Sequence, residues 1–209
     1  QYTLEDFTGK SIEDIRNYFS KYNFEIYESA YPGAELKVVD MEADGNFAPK
    51  AGVINLIREY TDDYEPGICY SQSLAAGELC NGSEELTFAV SCGKASDYEV
   101  AIPDFTGKGK KKAKKALEEA GLADYLELQF EDGSYSDTVE QGKVAEQSLL
   151  PGTVYNKLEK KSYQYADGVR AGEQSDNILT LWLSAGSAPV RRTGRGTSSG
   201  GSGNTWDIE

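Results

Sequence analysis

The chain repeats itself, and the repeat constrains its fold more than any other feature. Asp6-Phe7-Thr8-Gly9-Lys10 returns 98 residues later as Asp104-Phe105-Thr106-Gly107-Lys108. A second pair, Gln72-Ser73-Leu74-Ala75-Ala76-Gly77 and Gln147-Ser148-Leu149-Leu150-Pro151-Gly152, is offset by 75. A third, Leu86-Thr87-Phe88-Ala89-Val90-Ser91-Cys92-Gly93 and Leu179-Thr180-Leu181-Trp182-Leu183-Ser184-Ala185-Gly186, is offset by 93. The changing offset means that each copy carries extra residues the other lacks. Such insertions belong in surface loops, and they are expected near 27–53 in the first copy and near 158–177 in the second.

Each copy reads as one helix followed by strands. In the first, Ser11 and Asp14 form a capping-box pattern, and Ile12, Ile15, Phe19 and Tyr22 recur at helical spacing. In the second, Ala113, Ala116, Leu117 and Ala120 form the apolar stripe of a helix from about Lys110 to Ala120, stopped by Gly121. Strands are expected at 54–58 and 126–130, at 67–72 and 142–147, and at the two closing segments, where Leu179, Leu181 and Leu183 share a face. The expected fold class is α+β: two tandem modules, each a helix packed on a three-stranded antiparallel sheet, with loop insertions. The expected organisation is module 1 at 1–97, module 2 at 98–186 and a flexible Gly/Ser/Arg-rich tail at 187–209.

Composition excludes several function classes. Among 209 residues there is no histidine, which rules out Ser-His-Asp and Cys-His nucleophile systems and the usual ligand of catalytic zinc. A formal net charge of -14 repels nucleic acid and anionic membrane surfaces. No long apolar run and no signal-type h-region occurs, so a membrane is expected only through an anchor upstream of Gln1. Glu84 and Glu85, like Asp62 and Asp63, are sequence neighbours that point to opposite faces of a strand and form no acid/base pair. No catalytic constellation, metal set or cofactor motif is expected, and the Phe-Thr-Gly-Lys strings read as glycine turns rather than phosphate loops.

In this order the pieces resemble the PASTA domain, whose pattern is an opening P-D-φ-x-G (φ apolar), a helix ending in Gly, G-x-V-x-x-Q-x-P-x-x-G, and a closing Ser-x-Gly. The second copy matches through Pro103-Asp104-Phe105-Thr106-Gly107, Gly121, Gly142-Lys143-Val144, Gln147, Gly152 and Ser184-Ala185-Gly186. The first matches through Asp6-Phe7-Thr8-Gly9, Gly67, Gln72, Gly77 and Ser91-Cys92-Gly93, with Glu5 in place of the opening proline and Cys69 in place of the family valine. Leu74 and Leu149 stand where the family has proline. The resemblance implies an extracellular region of a larger anchored bacterial protein, in contact with peptidoglycan fragments or other wall components and, weakly, with a second copy.

The leading functional expectation is the wall-binding and sensing region of a membrane-anchored Ser/Thr kinase of a Gram-positive bacterium, itself non-catalytic. The alternatives are the C-terminal modules of a penicillin-binding protein and a structural spacer without ligand. Lys110, Lys111, Lys114 and Lys115 form a basic cluster that would attract carboxylates of wall peptides, or else is a solvated helix face. Gln147 stands before a turn, where its amide satisfies loop backbone or reaches a ligand. Cys69 and Cys92 are set to face each other across a hairpin as a disulfide. Cys80–Cys92 and Cys69–Cys80 pairings, or three free buried thiols, remain open.

Overall fold

A computed structural model describes residues 1–22, 24–39 and 51–190. Part of the expected 27–53 insertion, and the expected tail from residue 191 onward, lie outside the described residues. In chain order the elements are β1 (Tyr2–Thr3), α1 (Ile12–Phe19), β2 (Phe24–Ser29), β3 (Leu36–Val38), β4 (Gly52–Glu59), β5 (Cys69–Gln72), β6 (Leu79–Cys80) and β7 (Glu85–Ser91). They continue as β8 (Glu99–Ala101), α2 (Lys110–Glu119), β9 (Glu127–Asp132), β10 (Val144–Gln147), β11 (Val154–Asn156), β12 (Lys161–Ala166), β13 (Val169–Gln174) and β14 (Ile178–Leu183).

Two separate cores form. One gathers Leu4, Phe7, Ile15, Phe19, Ile54, Leu56 and Phe88, the other Ile102, Phe105, Leu117, Leu122, Tyr155, Leu179 and Leu181. Helix α1 begins as its sequence pattern requires. The Asp14 amide donates to Ser11 Oγ at 3.1 Å and the Ser11 amide donates to Asp14 Oδ2 at 2.9 Å, which satisfies two amides that the first helical turn leaves free. Ile12, Ile15 and Phe19 are buried, while Tyr22 lies past the helix end and stacks on Tyr2 with ring centroids 4.6 Å apart. Helix α2 lacks a side-chain cap at Gly109 and ends where Gly121 adopts a φ of +68°, the left-handed geometry that terminates a helix.

The sheets differ from the expected antiparallel triplets. In the second core the order is β10-β14-β9, with β10 antiparallel and β9 parallel to β14. In the first it is β3-β2-β4-β7-β5, with β2, β4 and β7 mutually parallel. Alternation specifies which face of a strand is buried but not its direction. The long chain segments between β9 and β14 supply the crossover that parallel pairing needs. The first sheet is widened by β2 and β3, which begin just after α1. Phe24 and Ile26 of β2 are buried, and β2 aligns with β4 so that Phe24 sits opposite Gly52. A Cβ on Gly52 would come within 2.2 Å of the Phe24 ring, so the aromatic ring occupies the space of the missing side chain.

The duplication reappears as strand register. Cys69 pairs with Val90 as Val144 pairs with Leu183, and both ladders carry an irregularity at the next step. Tyr2 pairs with Cys80 as Val100 pairs with Tyr155. The large and small partners are exchanged between the copies, so each site receives one aromatic and one small residue. The expected Cys69–Cys92 bridge is absent: Cys69, Cys80 and Cys92 are all buried and free. The reason is register. Cys69 lies opposite Val90 rather than Cys92, Cys80 packs against Tyr2, and Cys92 sits past the strand end beside Arg58.

Candidate functional site

Most of the motif residues turn out to hold loops. Gln147 Oε1 accepts the Phe105 amide at 2.9 Å, and its Nε2 donates to the carbonyls of Pro103 and Leu149. Gln72 does the same in the first copy, with Phe7, Glu5 and Leu74. Asp6 and Asp104 each accept the amide two residues on, at 2.9 Å. Ser91 and Ser184 each donate to a loop carbonyl and accept the amide of the following Gly. Gln147 therefore has its amide group occupied by backbone.

The α2 lysines are solvent-exposed. Lys115 lies 3.4 Å from Glu119 one turn on, and Lys110 Nζ stands 5.4 Å from the centre of the Phe130 ring. Ala113 and Leu117 share a core with Leu179, Leu181 and Leu183, so α2 covers one face of β14 and Trp182 belongs to the other. The structure does not bring the lysines and Gln147 together around a cavity.

The uncovered face carries a more distinctive arrangement. Trp182 is half-buried, and its Nε1–H donates to Glu131 Oε2 at 3.1 Å, while Gln129 donates to the other oxygen of the same carboxylate at 2.9 Å. The indole is thereby fixed in place. It lines an open groove of about 650 Å³ with Thr106, Asp132, Ser136 and Glu146, and with Tyr135 on its rim. Ala89 occupies the corresponding position of the first copy, so the fold does not require a large ring there. An aromatic plane beside carboxylate and hydroxyl oxygens suits a ligand with both C–H faces and hydroxyl donors. Sequence reasoning missed it; the outward phase of Trp182 among inward leucines was the available signal.

A second cluster joins the two cores. The carboxylate of Glu159, only 4% exposed, accepts from Tyr60 at 2.7 Å, from Arg170 Nη1 at 2.9 Å and from Tyr163. Asn156 Nδ2 donates to the Tyr60 hydroxyl at 3.0 Å. Arg170 also pairs with Glu99 and lies over the Tyr163 ring, 4.5 Å from its centre. Burial by itself would raise the Glu159 pKa, but hydrogen bonds from Tyr163, Tyr60 and Arg170 and the guanidinium charge outweigh it, so the carboxyl titrates below its ordinary value. Arg170 arrives on the β12–β13 hairpin, whose turn uses Asp167 and Gly168 at φ of 51° and 78°. This hairpin lies within the 158–177 segment where the second copy's insertion is expected, and it extends β8 and β11 into a four-stranded sheet.

Among the described residues no group of three or more acidic or Cys side chains could hold a metal ion, and no helix is long and apolar enough to cross a membrane.

The chain matches no curated protein. Similar solved structures include the entire extracellular region of the Ser/Thr kinase PrkC from Staphylococcus aureus, at 21% identity and a TM-score of 0.33, covering 88% of this chain and 47% of that one. A three-PASTA-domain structure of a Ser/Thr kinase from Staphylococcus aureus is 18% identical with a TM-score of 0.33, covering 88% of this chain and 66% of that one. Penicillin Binding Protein 2X from Streptococcus thermophilus is 13% identical with a TM-score of 0.24, covering 87% of this chain and 17% of that one. The chain thus spans about half the length of the PrkC extracellular region. The PASTA domain family model matches residues 100–162, from β8 through α2, β9, β10 and β11 to the start of the inserted hairpin. Over that segment the chain is similar to the PASTA domain.

Proposed function

We propose that this chain is a non-catalytic, wall-binding extracellular region of an anchored bacterial protein, made of two PASTA-type modules with their junction near residues 97–98. The observation that carries the reading is the PASTA match over residues 100–162. The first module joins it through the shared register and the shared Gln, Asp and Ser-x-Gly contacts. The ligand is peptidoglycan, and the uncovered sheet face around Trp182 is its favoured contact, because that face combines an immobilised aromatic plane with oxygen acceptors. The lysines of α2, on the opposite face, are the second candidate, for anionic groups of the wall.

Of the two parent proteins, a membrane-anchored Ser/Thr kinase is the leading reading and a penicillin-binding protein the other. The residues upstream of Gln1 decide between them: kinase motifs followed by one membrane span, or an S-x-x-K motif. Wall binding is tested by sedimenting the chain with purified sacculi and titrating it with muropeptides while following backbone amide shifts. Binding that weakens in Trp182→Ala supports the sheet face, and binding that weakens on charge reversal at Lys111 and Lys115 supports the helix. Absence from the pellet and unshifted spectra at millimolar ligand would leave only the spacer.

A further inference from the structure

The contact between the two cores is asymmetric, and each half of it recurs on the opposite core, there without such a partner among the described residues. One half is Tyr60; its counterpart 75 residues on is Tyr135. The equivalence is structural: the Thr61 amide donates to the Gly93 carbonyl at 3.1 Å, and the Ser136 amide donates to the Gly186 carbonyl at 2.9 Å. The other half is Asn156 and Glu159; their counterparts are Asn81 and Glu84. Here too the geometry repeats, since Asn156 Oδ1 accepts the Leu158 amide at 3.0 Å and Asn81 Oδ1 accepts the Ser83 amide at 2.9 Å. Tyr60 is engaged by both Asn156 and Glu159, whereas Tyr135 is 61% exposed and Asn81 is exposed.

We propose that the Tyr135 end of one chain docks on the Asn81–Glu84 end of a second copy, repeating between molecules the contact that Tyr60 makes within one. The Tyr135 hydroxyl donates to the Glu84 carboxylate and accepts from Asn81 Nδ2. The two halves differ and lie on different cores, so the contact is head-to-tail and extends into rows rather than closing as a symmetric dimer. It is weaker than the internal joint. Arg170 and Tyr163 belong to a hairpin that follows Glu159 and has no counterpart after Glu84, and the Glu84 carboxylate already accepts the amides of Asn81 and Gly82 at 2.6 and 2.9 Å. The net charge of -14 further opposes association, and salt screens that repulsion.

Sedimentation velocity of the full chain, from micromolar to about 1 mM in about 0.15 M salt or above, tests the proposal. The wild type is expected to sediment faster with concentration, and Tyr135→Ala and Asn81→Asp each to remain monomeric. Asn81→Asp keeps the acceptor for the Ser83 amide but removes the donor. Each variant retains the half the other lacks, so their equimolar mixture is expected to give a one-to-one complex and nothing larger. Trp182→Ala is expected to associate like the wild type, which separates this contact from wall binding. A wild type that stays monomeric throughout, a Tyr135→Ala variant that associates normally, or a mixture that forms no complex would each overturn the proposal.

Discussion

The Tyr60 hydroxyl, which follows a strand of the first core, donates at 2.7 Å to the carboxylate of Glu159, which is packed against the second. A buried carboxylate is held there only because every side that lacks water meets a donor.

Arg170 is the one cation in that group, and it depends on the inserted hairpin for its position. Arg170→Ala removes a charge-assisted hydrogen bond to Glu159 and its pairing with Glu99, while Tyr60 and Tyr163 still donate. The expected cost is about 1–3 kcal/mol, read as a lower denaturation midpoint. An unchanged midpoint would show that the Arg170 contacts contribute nothing to the joint.

The same carboxylate sets a pH dependence. Its folded pKa lies below the ordinary 4.5, so its stabilisation is fully present above that value and is lost as pH falls through the depressed folded pKa. Denaturant titrations of wild type and Glu159→Gln should therefore differ at pH 7 and converge in strongly acidic solution. A difference independent of pH would assign the effect to shape rather than charge.

Gln147→Ala and Gln72→Ala each strip a loop of three backbone contacts, leaving the Phe105 or Phe7 amide without its acceptor. Each is expected to destabilise its own module by about 1–3 kcal/mol by chemical denaturation. Muropeptide affinity of the folded fraction should not move; a loss at Gln147 without loss of stability would restore it as a ligand contact.

Burial raises the pKa of the Cys69 and Cys92 thiols, which suppresses the reactive thiolate. Alkylation of the native protein is expected to be slow, and all three thiols should react after denaturation. A mass deficit of two hydrogens in the unreduced chain would instead reveal a disulfide.

Much of the fold was legible because local rules and the tertiary structure agree. The capping box at Ser11, the stop at Gly121 and the inward leucines of β14 all follow from patterns within a few residues. Sheet direction was not legible, since alternation at Leu128 and Leu181 is the same whether the strands run parallel or opposed. The cysteines misled because proximity in sequence says nothing about register, and one ladder step sets Cys69 opposite Val90.

The sequence by itself determined that the chain is a duplication, that no histidine-based catalytic system is present in it, and which motif residues recur in the two copies. Those properties depend on composition and short spacings. Only the tertiary structure decided that Gln147 serves a loop and that Trp182 lies on the outer sheet face, held by Glu131. It also decided that Tyr60 meets Glu159 across 99 residues while its counterpart Tyr135 is 61% exposed. A side chain's partner at that separation is set by how strands and inserted hairpins pack, and no local pattern encodes it.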